Sequence, residues 1–161
     1  MKDPRALELL EKAYLFLGTS PVRYVVETSG AELRDDWDRK VFATYEEWLR
    51  SEARNRVTVA EILREEGVFP GGGTLPLEFS QWNYAGATHL LDRVIPAAER
   101  LIEGLEQVED ALAPWSEARG VVDSIIRTEE SFLERARALA AERPKAAPQP
   151  AKVKGTSAAR W

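Results

Sequence analysis

Apolar residues recur at helical spacing through most of this chain, and each recurring run opens on a residue able to cap a helix. Asp3-Pro4 supplies an N-cap with proline at the first helical position, after which Leu7, Leu10, Tyr14 and Leu17 share one face until Gly18. Thr19-Ser20-Pro21 repeats the start signal. Val22, Val26, Leu33, Trp37, Val41, Tyr45, Trp48 and Leu49 then follow a 3.6-residue rhythm that predicts a long second helix. Thr28-Ser29-Gly30 is its weak point, because a capping box between Ser29 and Glu32 would divide it in two. The β-branched pair Val25-Val26 has no partner strand in view.

A second capping-box pattern, Thr58 with Glu61, precedes Ile62 and Leu63 and predicts either a short helix or a continuation, stopped at Gly67. Residues 67–79 are rich in turn formers, yet carry Val68, Phe69, Leu75, Leu77 and Phe79. They read as a crossover loop pinned down by its apolar side chains. Ser80 is the expected cap of a third helix whose apolar line runs from Trp82 and Leu90 to Leu112, with Pro96 as an internal kink. Ala113-Pro114-Trp115-Ser116 turns the chain into a fourth helix on Val122, Ile125, Phe132, Ala136 and Leu139, ending near Glu142.

The expected fold class is therefore all-α: a four-helix bundle with one long crossover connection, occupying residues 1–143. From Pro144 to Trp161 the sequence turns to proline, alanine and lysine, too poor in apolar residues to form a core. That segment is expected to be an extended tail. A chain of 161 residues is long enough to bury a core without disulfides or metal.

Charge sharpens the division. Net charge is −5, but four of the 22 basic residues and none of the 27 acidic ones follow Pro144. The body is acidic and the tail basic, which disfavours sequence-reading nucleic-acid binding by the folded part. The absence of cysteine removes thiolate chemistry and cysteine-type zinc or iron–sulfur sites. With no signal-peptide pattern at the start and no membrane-length apolar run, the expected setting is cytoplasmic, with no membrane partner. Gly71-Gly-Gly-Thr74 lacks the lysine of a phosphate-binding loop and reads as loop flexibility. The acidic stretch Asp35-Asp36-Trp37-Asp38 reads as a solvated face. Of Trp37, Trp48, Trp82 and Trp115, three are expected in the core.

The crossover arrangement, with Gly73-Thr-Leu-Pro-Leu-Glu-Phe79 entering a helix, resembles the ferritin-like superfamily. The resemblance implies a glutamate on each of two helices and Glu-x-x-His on each of the other two, holding iron or manganese. This chain contains no Glu-x-x-His. Its nearest matches, Glu52-Ala-Arg-Asn55 and Glu129-Glu-Ser-Phe132, both lack the imidazole. Glu129 nonetheless lies on the apolar stripe of the fourth helix, where a carboxylate needs a partner. One reading makes it a metal ligand or proton-transfer group with Glu11, Glu52 and His89 as companions. The other pairs it with an arginine such as Arg54 or Arg93. His89, the sole histidine, is either a ligand or an ordinary helix residue.

These readings converge on a non-catalytic bundle that needs no cofactor and acts through protein partners. The alternative is a carboxylate-bridged metal oxidase with an oxygen-rich site. The abundance of tryptophan and the length of the second helix predict self-association, as a homodimer. In the tail, Lys154, Arg160 and Trp161 form a candidate docking peptide, with the indole as anchor and the charges setting register.

Overall fold

Helix starts are set by side chains that take over backbone N–H groups which would otherwise lack partners. The computed structural model describes residues 2–145, and among them it has five α-helices, one 3-10 helix and no strand. Helix α1, Pro4–Gly18, begins where the Asp3 carboxylate accepts from the Arg5 N–H. Helix α2, Pro21–Glu27, begins where the Ser20 hydroxyl accepts from the Arg23 N–H. Helix α3, Asp36–Glu65, opens on a reciprocal pair: Asp35 accepts from the Asp38 N–H, and Asp38 accepts from the Arg34 N–H, each at 2.8 Å.

The stripe from Val22 to Leu49 is thus two helices rather than one. The Ser29 hydroxyl donates to the Val25 carbonyl and Gly30 takes φ +60, so the chain leaves α2 and restarts only at Asp36. The cap of the second piece is Asp35 with Asp38, not Ser29 with Glu32. Asp38 is consequently buried, whereas the sequence placed it on a solvated face. At Thr58 the opposite happens. Its hydroxyl donates back to the Arg54 carbonyl and α3 continues to Glu65.

Ser80 does not cap the next helix. Leu77–Trp82 form a 3-10 helix in which the Ser80 hydroxyl donates to the Leu77 carbonyl, and helix α4, Ala87–Ala111, starts only after Gly86. Aromatic packing explains the delay: Phe79 and Trp82 are buried and both lie against the ring of Tyr24 on α2, which holds the 3-10 segment apart from α4. Of the apolar residues expected to pin the connection, Phe79 is buried and Val68 and Leu75 pack half-buried against the core. Phe69 and Leu77 face solvent, at 78% and 87% exposure. Helix α4 passes through the exposed Pro96 without ending, and helix α5, Ser116–Ala141, closes the described structure.

The most extensive helix pairing is α4 with α5, a hairpin joined by residues 112–115. Helix α1 packs on α3 and α4, and α3 packs on α5, while α2 rests on α3. The core between them contains Leu10 and Leu17 of α1, Tyr45, Trp48 and Leu63 of α3, Leu90 and Leu105 of α4, and Ile125 of α5. Trp48, Trp82 and Trp115 are buried and Trp37 is half-buried, its indole N–H donating to the Leu139 carbonyl. Among the described residues no helix is long and apolar enough to cross a membrane. Lys154, Arg160 and Trp161 lie outside the described residues.

Candidate functional site

Two carboxyl groups meet in this core. On α3, Val41, Tyr45, Trp48, Glu52 and Val59 are all buried, so Glu52 occupies a position its helix devotes to packing. On α5 the same holds for Glu129, flanked by Ile125, Ile126 and Leu133. Each glutamate retains 1% of its exposure. A buried carboxyl group without compensation costs several kcal/mol as an anion, on the order of the penalties known for unpaired buried charges. Every oxygen in the pair therefore requires a partner.

Trp48 supplies the first. Its indole N–H donates to Glu129 Oε2 at 2.7 Å while its ring stacks on Phe132, centroids 5.6 Å apart and planes within 10°. Phe132 stands one turn beyond Glu129 and Trp48 one turn before Glu52, so one indole fixes the register of α3 against α5. Ser20 supplies the second partner, its hydroxyl donating to Glu52 Oε2 at 2.5 Å. A hydroxyl can accept as well as donate, which lets Ser20 cap α2 and hold Glu52 at the same time.

The remaining oxygens, Glu52 Oε1 and Glu129 Oε1, are buried and accept no hydrogen bond from an N–H or hydroxyl group among the described residues. Burial, reinforced by the negative charge of Glu129, holds the Glu52 carboxyl well above the ordinary range, against the opposing pull of Ser20. Burial also pushes Glu129 up to about 7, opposed by its hydrogen bonds from Trp48 and Glu52. Both causes favour retention of a proton by the pair as a unit, and one retained proton lowers its charge from −2 to −1.

Among the described residues no arginine pairs with Glu129. Arg54 and Arg93, the partners considered from sequence, are both exposed. Of the four candidate ligands, the fold brings together Glu52 and Glu129. His89 is exposed on α4 and Glu11 is half-buried on α1. Among the described residues no three histidine or acidic side chains form a group able to hold a metal ion. Two carboxyl groups and one hydroxyl fall short of the ligand set that the ferritin-like resemblance implies, so a centre of that kind does not fit the residues gathered at the pair.

Trp48 and Ser20 were legible in the sequence only as a core aromatic and a helix cap. Their second roles depend on α5 and α3 lying beside them. Compared with protein-family models, with curated proteins and with solved structures, the chain matches none.

Proposed function

We propose that this protein acts by binding protein rather than by catalysing a reaction, and that residues 152–161 of one copy dock on a second copy. The observation that carries this reading is an open groove of about 620 Å³ between α4 and α5. Arg137 in that groove pairs with both Glu99 and Glu134, and Arg127 pairs with Asp123. Glu103, Glu106 and Glu130 keep no basic partner among the described residues. Ile102 and Leu133, both nearly buried, give the groove an apolar floor. Lys152, Lys154 and Arg160 carry the complementary charge, and Trp161 carries the one large apolar surface of that segment.

The strength of such a contact is limited. Burying one indole contributes about 2–3 kcal/mol before ordering costs, so a single segment binds weakly. Reciprocal exchange across a two-fold axis makes the second contact intramolecular and turns a weak peptide into a stable homodimer. A ferritin-like arrangement, in which α1, α3, α4 and α5 are the four principal helices and residues 66–86 the long crossover, belongs to the same reading; the pairings of α1 with α3 and of α4 with α5 support it. The metal-oxidase alternative needs at least one more ligand than Glu52 and Glu129 provide. Stoichiometric oxygen uptake on adding ferrous iron would revive it.

Sedimentation equilibrium tests the proposal on three proteins: the full chain, a deletion of residues 154–161, and the triple variant Glu103→Lys, Glu106→Lys, Glu130→Lys. The full chain is expected to be dimeric and both variants monomeric, with helical content and melting temperature nearly unchanged by the deletion. A monomeric full chain, or a dimer that survives the deletion, overturns it. A deletion that markedly lowers the melting temperature does so too, because the segment would then belong to its own fold.

A further inference from the structure

A pocket of about 310 Å³ opens between α2, α3 and the end of α1, lined by none of the residues of the α4–α5 groove. Its volume falls at the lower end of the range for small-molecule sites, about 300–1,000 Å³. Three arginines line it: Arg23 from α2 and Arg50 and Arg56 from α3. Arg23 is committed, donating to the Gly18 carbonyl at 2.6 Å and to Glu27 at 3.0 Å, so it frames the rim. Arg50 and Arg56 have no carboxylate partner among the described residues.

Arg56 is held in place without being satisfied. Its guanidinium lies 4.6 Å from the centre of the Tyr14 ring, and its Nε is buried with no acceptor. Gly18 makes room for it, since a Cβ there would lie 2.9 Å from the Arg56 guanidinium. A guanidinium fixed by stacking, seated against a glycine and paired with no carboxylate among the described residues is poised to take an anion at its terminal nitrogens.

The other walls restrict which anion. Half-buried Leu49 and exposed Ala53 present aliphatic surface over the buried Leu17, so a bare inorganic oxyanion would leave apolar walls uncovered. At the inner end stands Glu52, whose carboxyl group shares its proton with Glu129 and thus adds little repulsion. We propose that this pocket binds a small organic acid, its carboxylate held by Arg50 and Arg56 and its hydrocarbon part resting on Leu49 and Ala53.

Titration calorimetry with hexanoate on the full-length protein tests the assignment, with hexanamide and inorganic phosphate as the neutral and the non-hydrocarbon controls. Hexanoate is expected to bind saturably at one site, at least about tenfold more tightly than either control, as loss of one charge-assisted hydrogen bond predicts. Arg50→Ala, at an exposed position, should weaken binding by about tenfold on the same grounds. Ala53→Trp, also at an exposed position, should block the mouth with the circular dichroism spectrum unchanged. Gly18→Ala should weaken binding by displacing the Arg56 guanidinium. Absence of saturable hexanoate binding overturns the proposal. So does equal affinity for hexanamide, which would mean an apolar crevice, or for phosphate, which would mean a simple cationic patch. Binding indifferent to both Arg50→Ala and Ala53→Trp would place the ligand elsewhere and overturn it as well.

Discussion

Trp48 donates its indole N–H to Glu129 across the α3–α5 interface at 2.7 Å, while its ring stacks on Phe132 one turn further along α5. The same side chain thus supplies packing area and a hydrogen bond to the carboxylate of a pair that has no arginine or lysine hydrogen-bonded to it among the described residues. An aliphatic residue at position 48 would supply only the first.

Trp48→Phe separates the two contributions. Phenylalanine keeps most of the stack but removes the N–H, leaving Glu129 Oε2 unpaired at a cost of about 1–3 kcal/mol. Because that N–H favours the ionised carboxylate, its loss should be costlier at pH 8 than at pH 5. Urea unfolding at the two pH values checks this; an equal loss at both would show that Trp48 contributes through packing alone.

The carboxyl pair also makes stability depend on pH with a sign that can be worked out. Glu129 has its folded pKa raised from 4.5 to about 7, and Glu52 is raised as well, so between those values the folded state holds more protons than the unfolded one. Stability is then full below pH 4.5 as far as this pair is concerned, and falls as pH rises through about 7. For Glu129 the loss is about 3 kcal/mol at most. Glu47 acts oppositely: its hydrogen bond from Arg135 holds its carboxyl below the ordinary range, so its contribution disappears on acidification. Glu52→Gln retains a donor toward Glu129 and an acceptor for Ser20 without the titrating proton. That variant should match the parent near pH 5, exceed it at pH 8, and show a flatter profile of melting temperature against pH.

Backbone strain at Tyr84 leads to a third expectation. Tyr84 has φ +59, its ring is 86% exposed, and its N–H donates to the Ser29 carbonyl at 2.7 Å. Opposite it, Gly30 has φ +60, and a Cβ there would lie 3.2 Å from the Tyr84 ring. Tyr84→Gly should therefore be neutral or stabilising by up to about 1 kcal/mol, since it relieves a left-handed conformation that a bulky residue adopts at a cost. Gly30→Ala should destabilise by about 1–2 kcal/mol through strain and the close contact. Thermal melts of the two single variants check the pair; a destabilising Tyr84→Gly would mean that the exposed ring contributes more than its backbone costs.

The extent of each principal helix was largely legible because capping and periodicity are local. Asp3-Pro4, Ser20-Pro21, Gly18 and the stripe from Val122 to Leu139 lie where α1, α2 and α5 begin, end and pack. Local signals misled where two competed for one stretch. Ser29 with Glu32 and Asp35 with Asp38 are equally plausible caps on paper, and the Gly30 conformation with the Ser29 hydrogen bond favours the second. Ser80 is an acceptable cap as well, but packing of Phe79 and Trp82 on Tyr24 keeps it in a 3-10 turn.

At the site, the sequence by itself determined that Glu129 stands on a buried face, because a helix returns to the same side every three to four residues. It also determined that no Glu-x-x-His stands on any helix. Only the tertiary structure decided that the partner of Glu129 is Glu52 with Trp48, and not Arg54 or Arg93, and that His89 faces away from both. The reason is physical: periodicity states which face of a helix is buried, whereas the identity of the residue across that face depends on how α3 is rotated and shifted against α5. That register is fixed by long-range contacts, such as the stack of Trp48 on Phe132, which no local pattern in either helix encodes.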